Sequence, residues 1–195
     1  IDYLVATHPH ADHIGSMAYI VRNFEIGEIY MPKVSTTTAT YENLLNSISK
    51  KGLKIKSAAA GINLRYFDDF TADIIAPEEI DEKNLNNSSI VIKMTLGNKS
   101  FLFMGDAEKS EINSITADVS ADVLKVGHHG SRTSITADFL EMVQPSIAVI
   151  SCGINNDYCH PHESTLKFLN DINCEIYRTD KDKTITVTTD GNTLN

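Results

Sequence analysis

The feature that most constrains the fold is a short apolar run, Ile1–Ala6, that leads directly into the segment HPHADH at positions 8–13. Imidazole nitrogens and carboxylate oxygens are ligands that zinc, manganese and iron accept. The first two histidines are two residues apart, so in an extended segment their side chains point the same way. The aspartate and the last histidine follow where the chain turns, so they can point at a second position nearby. The segment predicts one loop that holds ligands for two adjacent metals, with a solvated histidine cluster as the alternative. The candidate ligands are His8, His10, Asp12 and His13.

A second apolar stretch, FLFMGDAE at 101–108, ends in Gly105 and Asp106. Gly105 lets the backbone turn sharply, so that Asp106 is presented at the tip of a strand. A carboxylate has two oxygens and can bridge two metals, which makes Asp106 a candidate bridging ligand. Asp106 can also serve as the N-cap of a helix over Ala107–Ile115, and the two roles can coexist.

A third stretch, LKVGHHGS at 124–131, has the same design: a strand runs into a glycine and then presents His128 and His129. Adjacent side chains on a strand point to opposite faces, so one of the two histidines is expected to face a given metal. The other then contacts substrate or a carboxylate that supports the ligands. Gly130 and Ser131 offer backbone and hydroxyl donors to a phosphate. A histidine pair on the surface is the alternative.

A fourth stretch begins with the apolar strand Ile147–Ser151, which is followed by a glycine-containing loop and then by His160. His160 stands just before a predicted helix and is a candidate metal ligand or general acid. His162 is interpreted as a residue at the start of that helix.

The polar segment NNSS at 86–89 precedes the predicted strand Ile90–Leu96. Its Asn87 and Ser89 either hydrogen-bond near the metal site or cap a turn. In the other segments the metal-binding groups follow strands, where a rigid sheet can hold them in place. This shared arrangement predicts a metal site more strongly than any one motif does.

Strand-like and helix-like patterns alternate along the whole chain, which favours a layered α/β sandwich. The predicted strands are Ile1–Ala6, Ile26–Met31, Leu53–Lys56, Asn63–Phe67, Ala72–Ala76, Ile90–Leu96, Ser100–Met104, Val123–Val126, Ile147–Ser151, Glu175–Tyr177 and Thr184–Thr188. The predicted helices are Ile14–Asn23, Tyr41–Lys51, Thr136–Val143 and Glu163–Ile172. A length of 195 residues suits one domain over 1–195.

The composition restricts the kind of partner. No apolar run is long enough to cross a bilayer. A net charge of -9 argues against an extensive nucleic-acid surface, because phosphate contacts need lysine and arginine. It leaves room for a nuclease, because bound metals supply local positive charge.

Five segments together resemble the metallo-β-lactamase superfamily, whose hallmark is H-x-H-x-D-H. More narrowly, the chain is similar to the nuclease-type domain of the ComEC competence DNA-uptake proteins and their stand-alone relatives. The resemblance covers essentially the whole chain. The matching segments are THPHADHIGS at 7–16, NNSSIV at 86–91, FMGDAE at 103–108, LKVGHHGS at 124–131 and ISCGINNDYCHP at 150–161.

The resemblance implies a four-layer αββα sandwich with two divalent metal ions, zinc or manganese, at the sheet edge. His8 and His10 would hold one metal, Asp12 and His13 the other, and Asp106 would bridge them. One of three further histidines would complete the set, and the sequence leaves open which one; these are His128, His129 and His160.

Two departures from the family pattern shape these expectations. Many members have a further ligand histidine before the bridging aspartate, whereas this chain has no histidine between His13 and His128. Asn87 or Ser89 occupies that region, so the first metal is expected to be held weakly or by an oxygen-rich, manganese-tolerant set. The family domain also opens with a strand pair that carries a Gly-Asp segment, which is absent here. We therefore expect an N-terminally truncated domain that lacks its first strands.

The function that the resemblance implies is a binuclear phosphodiesterase or nuclease that acts on DNA through a metal-activated water. Single-stranded DNA is one candidate substrate, and the family suggests an extracytoplasmic or secreted location. The alternatives are a hydrolase of a small ester, lactam or phosphocholine-type diester, and a non-catalytic metal-binding domain. The predicted catalytic residues are Asp12, His129 and His160, and the predicted substrate contacts are Asn87, Ser89, Ser131 and Arg132.

Overall fold

The computed structural model describes residues 1–66 and 69–195 and contains two sheets. The smaller sheet is parallel, with its strands in the order β1-β2-β3. A parallel sheet of this kind needs crossover connections, which are supplied by helices. The three strands are β1 (Tyr3–Val5), β2 (Glu28–Pro32) and β3 (Ile55–Ala58).

The larger sheet has the strand order β10-β9-β8-β7-β6-β5-β4. Strands β4 to β7 run antiparallel to their neighbours, whereas β7 to β10 are parallel. The carboxyl ends of β7, β8 and β9 therefore reach the same edge of the sheet, and the loops that follow them lie side by side. The seven strands are β4 (Ile62–Tyr66), β5 (Phe70–Ala76), β6 (Val91–Leu96), β7 (Lys99–Phe103), β8 (Val123–Lys125), β9 (Ile147–Ile150) and β10 (Glu175–Arg178).

Helices cover the outer faces of both sheets. They are α1 (Ala11–Ile14), α2 (Met17–Asn23), α3 (Ala39–Lys50), α4 (Lys109–Ile112), α5 (Ala137–Val143), α6 (Glu163–Asp171) and α7 (Thr179–Asp182). None of the helices in the described part of the chain has the length and apolar character that a membrane span requires.

Three separate clusters of buried side chains show how the layers stack. Val21 of α2 and Leu44 of α3 pack with Ile29 of β2. Between the sheets, Tyr30 of β2 packs in one cluster with the large-sheet residues Ile74 and Ile92. A third cluster joins the opposite face of the large sheet to α5 and α6; its members include Leu102, Leu124, Phe139, Leu140 and Leu169. Three interfaces between four layers confirm the predicted αββα sandwich.

One predicted strand was wrong. Thr184–Thr188 pairs with no other strand among the described residues; only Thr189 and Leu194 form an isolated bridge nearby. The period-two pattern that suggested a strand has another origin. Ile185 and Val187 line a small cavity with side chains of the large sheet, so alternate residues face apolar surface without a ladder of hydrogen bonds.

Two predicted helices differ from those observed. Ile14–Asn23 is divided between α1 and α2, because a turn at residues 15–16 interrupts the helix. The Ser16 carbonyl then accepts the first hydrogen bonds of α2. The helix expected over Ala107–Ile115 is the single turn α4, whose N-cap position is Glu108. Asp106 is therefore not an N-cap. Phe67, the last residue of one predicted strand, lies outside the described residues.

Candidate metal centre

The segment at 8–13 follows β1, is extended at His10 and enters α1 at Ala11. His10 is extended and occupies the N-cap position of α1. Its carbonyl accepts the backbone N–H groups of His13 and Ile14, each at 3.0 Å. The rings of His8 and His10 lie with centroids 4.7 Å apart, and the centroids of His8 and His13 are 4.2 Å apart. The extended segment and the first helical turn therefore bring these histidines together.

Asp106 lies at the centre of the site, in the loop that follows β7. Its side chain is 5% exposed, and its backbone N–H donates to Ser89 Oγ at 3.0 Å. Gly105 adopts a φ of +54°, and a Cβ there would lie 3.0–3.2 Å from Ser89 and Thr7. Glycine is therefore needed at this position both for the turn and for the close approach of the neighbouring loops. The Asp106 carboxylate oxygens lie 3.2 Å from His13 Nε2, 3.7 Å from His8 Nε2, 3.7 Å from His129 Nε2 and 3.9 Å from His128 Nε2.

One group of four side chains has the spacing of a metal site. One ligand atom from each of Asp12, His13, Asp106 and His129 lies within 4.8 Å of all the others. His129 comes from the turn after β8 and has a positive φ of 54°, so it does not continue the strand. Its Nδ1–H is placed to donate to the Ser151 carbonyl at 2.9 Å, which leaves the Nε2 lone pair directed toward Asp12, 3.2 Å away.

His8 adjoins this group at Asp106, with its Nε2 3.7 Å from the carboxylate. His8 is fully buried, and its Nδ1 lies 3.2 Å from Thr7 Oγ1 and 3.3 Å from Ser89 Oγ. Burial and the nearby His13 lower the pKa of His8 to about 3, so its ring is neutral at neutral pH. An Nδ1–H donated to either hydroxyl leaves a lone pair on Nε2. That atom, like His13 Nε2, is buried and has no hydrogen-bond partner.

Electrostatics keep the central carboxylate charged. Burial would raise the pKa of Asp106, but the adjacent His13, 3.2 Å away, and the other nearby imidazoles lower it to about 2. An ionised carboxylate among imidazole nitrogens, two of which are buried without a hydrogen-bond partner, is a donor set that suits a divalent transition metal. The group Asp12, His13, Asp106 and His129 therefore fits a divalent metal ion, and His8 presents a further ring nitrogen to the same carboxylate.

His128 occupies the other side of Asp106 and has a partner that the sequence interpretation missed. Its Nδ1 lies 3.0 Å from Glu108 Oε1. Glu108 is in turn fixed by Thr133 Oγ1 at 2.8 Å and Asn84 Nδ2 at 2.7 Å. The available signal was a second carboxylate two residues after Asp106, in the same loop.

His160 and His162 extend the cluster outward. The His160 ring centroid is 5.5 Å from that of His128 and 6.3 Å from that of His129. Burial and the neighbouring histidines lower the pKa of His160 to about 4. His162 is the N-cap residue of α6, as predicted, and its Nδ1 accepts the Arg132 backbone N–H at 3.1 Å.

The four predicted substrate contacts lie in different surroundings. Ser89 is buried against His8 and Asp106, as described above. Asn87 donates to Asp81 Oδ2 at 3.3 Å, within the segment that connects β5 to β6. Ser131 is buried with its hydroxyl 2.9 Å from Thr133 Oγ1, whereas Arg132 is exposed.

The sequence is similar to one family model and to two longer proteins. The family model described as "Metallo-beta-lactamase superfamily" matches residues 1–154. "ComE operon protein 3" of Bacillus subtilis (strain 168) is 35% identical over 188 residues, which are 95% of this chain and 24% of that protein. "Recombination protein 2" of Haemophilus influenzae is 29% identical over 170 residues, which are 87% of this chain and 20% of that protein. The chain thus spans a quarter or less of the length of these relatives.

Comparison of structures supports the fold alone. CmlA, described as a diiron beta-hydroxylase from Streptomyces venezuelae, superposes with a TM-score of 0.60 at 14% sequence identity. The match covers 91% of this chain and 43% of CmlA. An identity this low carries no statement about chemistry.

Proposed function

Because the chain belongs to the metallo-β-lactamase superfamily, we propose that it is a binuclear metal-dependent phosphodiesterase that acts on DNA. The observation that carries the proposal is the cluster of metal-ligand side chains around Asp106. The Nε2 atoms of His8 and His13 lie 3.7 and 3.2 Å from this carboxylate, and leaving them buried without a hydrogen-bond partner costs free energy unless a cation is bound there. The similarity to "Recombination protein 2", together with the resemblance to the ComEC competence DNA-uptake proteins, favours DNA as substrate.

The geometry favours a particular division of the ligands. His8 and His10 would hold one ion, and Asp12, His13 and His129 the other, with Asp106 shared between them. Divalent ions bound there supply Lewis-acid chemistry, which makes water a better nucleophile and neutralises charge on a phosphoryl group. Zinc suits the pair His8 and His10, whose donors are imidazole nitrogens. Either zinc or manganese suits the ligands that include Asp12.

The chain's own residues would then position the substrate. The Ser151 carbonyl fixes the tautomer of His129, and the hydroxyl of Ser89 does the same for His8 while it also holds the Asp106 backbone. His128 is the better candidate for a proton donor to the leaving oxygen, because Glu108 accepts from its Nδ1 and fixes the ring with Nε2 facing the site. His160 is neutral near pH 7, so its role is to donate a hydrogen bond to a phosphoryl oxygen.

The test is side-by-side hydrolysis of bis-p-nitrophenyl phosphate, single-stranded DNA and a chromogenic β-lactam, with added zinc or manganese and with EDTA. We expect metal-dependent cleavage of the diester and of DNA. We expect Asp106→Ala and His10→Ala each to lower it by at least about 100-fold. Asp138→Ala, at an exposed position in α5, is the matched control and should retain wild-type rates.

Each other outcome has a definite meaning. Cleavage of the β-lactam alone would replace the phosphodiesterase assignment. Absence of cleavage of all three substrates, in a protein shown to bind metal, would favour the non-catalytic alternative. Turnover that survives the double substitution of Asp106 and His10 would refute the site.

A further inference from the structure

A loop beside the metal centre projects two large apolar side chains into solvent. Tyr158 is 75% exposed and Ile154 is 74% exposed, more than any other large hydrophobic side chain in the described ranges. Both belong to the loop at 153–160 that connects β9 to α6. Exposed apolar side chains at the edge of a polar site are candidates for contact with a ligand.

The loop is held in one conformation by Asn156. Its side-chain amide donates to the carbonyls of Gly153 at 3.0 Å and His160 at 2.6 Å, and its Oδ1 accepts the His160 backbone N–H at 2.9 Å. The Cys159 N–H donates to the Asn156 carbonyl at 3.1 Å. A loop ordered in this way loses little conformational entropy when a ligand binds to it.

Tyr158 is connected to the metal centre by a continuous row of rings. It stacks on His160 with centroids 5.7 Å apart and an interplanar angle of 23°. His160 in turn lies 5.5 Å from His128, next to Asp106. A group stacked on the outer face of Tyr158 is therefore separated from His128 by the rings of Tyr158 and His160.

Charge around the loop indicates where a phosphate backbone would run. Arg132 is exposed, and no ion pair of its side chain is found among the described residues. Its backbone N–H binds His162, whose ring is 4.9 Å from that of His160. Asp157 is exposed on the loop itself and repels phosphate there. The loop thus offers an apolar face, and the cationic side chain lies on the neighbouring turn.

We propose that Tyr158 is a stacking platform for a base of single-stranded DNA adjacent to the scissile phosphate, with Ile154 beside it and Arg132 contacting the backbone. This assignment rests on the proposed function and names the form of DNA that the same site selects. Aromatic side chains stack on unpaired bases of any sequence, whereas the bases of a duplex already stack on each other.

Binding can be measured by fluorescence, and EDTA prevents catalysis during the measurement. The chain contains no tryptophan, so an introduced indole gives the whole tryptophan signal. Tyr158→Trp then introduces the only indole, and stacking of a base quenches its fluorescence. We expect saturable quenching by a 12-nucleotide oligothymidylate in EDTA, and at least about fivefold weaker binding of a duplex of equal length. Tyr19→Trp is the matched control: Tyr19 is 59% exposed on α2, and its indole should not respond.

Catalysis provides the second measurement. Tyr158→Ala should raise KM for the oligonucleotide at least about fivefold, the lower end expected for loss of one stacked base. Tyr158→Phe should retain the wild-type KM, and kcat for bis-p-nitrophenyl phosphate should change less than twofold in either variant. Quenching without DNA cleavage would support the platform while refuting the nuclease proposal. Cleavage with unchanged KM in Tyr158→Ala, or equal quenching by duplex and single strand, would refute the platform while leaving the nuclease proposal intact.

Discussion

Glu111 provides the most quantitative prediction that the structure allows. It lies in α4 and is 4% exposed, and neither of its carboxylate oxygens has a hydrogen-bond partner. Burial, together with the charge of Asp81 and despite the nearby Ser89 N–H, raises the pKa of Glu111 from 4.5 to about 9. The folded state therefore holds a proton that the unfolded chain releases near pH 4.5. The stability that this proton confers is fully present below pH 4.5 and is lost as pH rises toward 9.

The size of the effect follows from these two pKa values. Between pH 5 and pH 8, the contribution of Glu111 to the free energy of unfolding should fall by about 4 kcal/mol, at 1.36 kcal/mol per pKa unit. Glu111→Gln removes the titration and keeps the shape. The cost of burying the amide is the same at both pH values, so it cancels in the comparison. The variant should therefore gain about 4 kcal/mol relative to wild type between pH 5 and pH 8.

The measurement is urea unfolding at pH 5 and pH 8, in EDTA, for wild type and Glu111→Gln. Glu141→Gln, at an exposed position in α5, is the matched control and should follow wild type within about 0.5 kcal/mol at both pH values. A change of less than about 1 kcal/mol in the Glu111→Gln difference between the two pH values would refute the assignment of a neutral, buried Glu111.

Three further predictions concern the metal centre. Asp106→Asn should reduce bound zinc, measured by elemental analysis after dialysis, from two ions per chain to one or none; retention of two would exclude a bridging role. Glu108→Gln should lower kcat for bis-p-nitrophenyl phosphate by about 10- to 100-fold with little change in KM, because the His128 ring loses the carboxylate that orients it. An unchanged kcat would show that His128 has no part in the reaction. Gly105→Ala should lower the free energy of unfolding by about 2 kcal/mol, because of its φ of +54° and contacts of 3.0–3.2 Å. Gly52→Ala, which has a φ of +73° but no atom within 4 Å of the added Cβ, should cost less and so separates steric overlap from backbone strain.

Much of the architecture could be predicted from periodicity. Apolar runs such as Ile147–Ser151 and Ile90–Leu96 indicated strands, and the spacing of apolar residues in Glu163–Ile172 indicated the helix that became α6. The failures have local causes. Thr184–Thr188 alternates because its apolar residues contact a sheet face, and alternation does not distinguish such contact from pairing within a sheet. The break at Gly15 divides a helix whose apolar spacing continues across it.

The ligand types and their local spacing were set by sequence alone, because HPHADH at 8–13 fixes which side chains one turn of chain can bring together. Which distant residues complete the site depends on the three-dimensional arrangement. His129 joins Asp12, His13 and Asp106 because β7 and β8 are parallel neighbours and the turn after β8 has positive φ. His128 instead faces Glu108, and the loop at 153–160 presents Tyr158 beside them. Sequence patterns report the repeat along one segment, whereas these contacts depend on strand order and loop conformation, which bring together residues far apart in the chain.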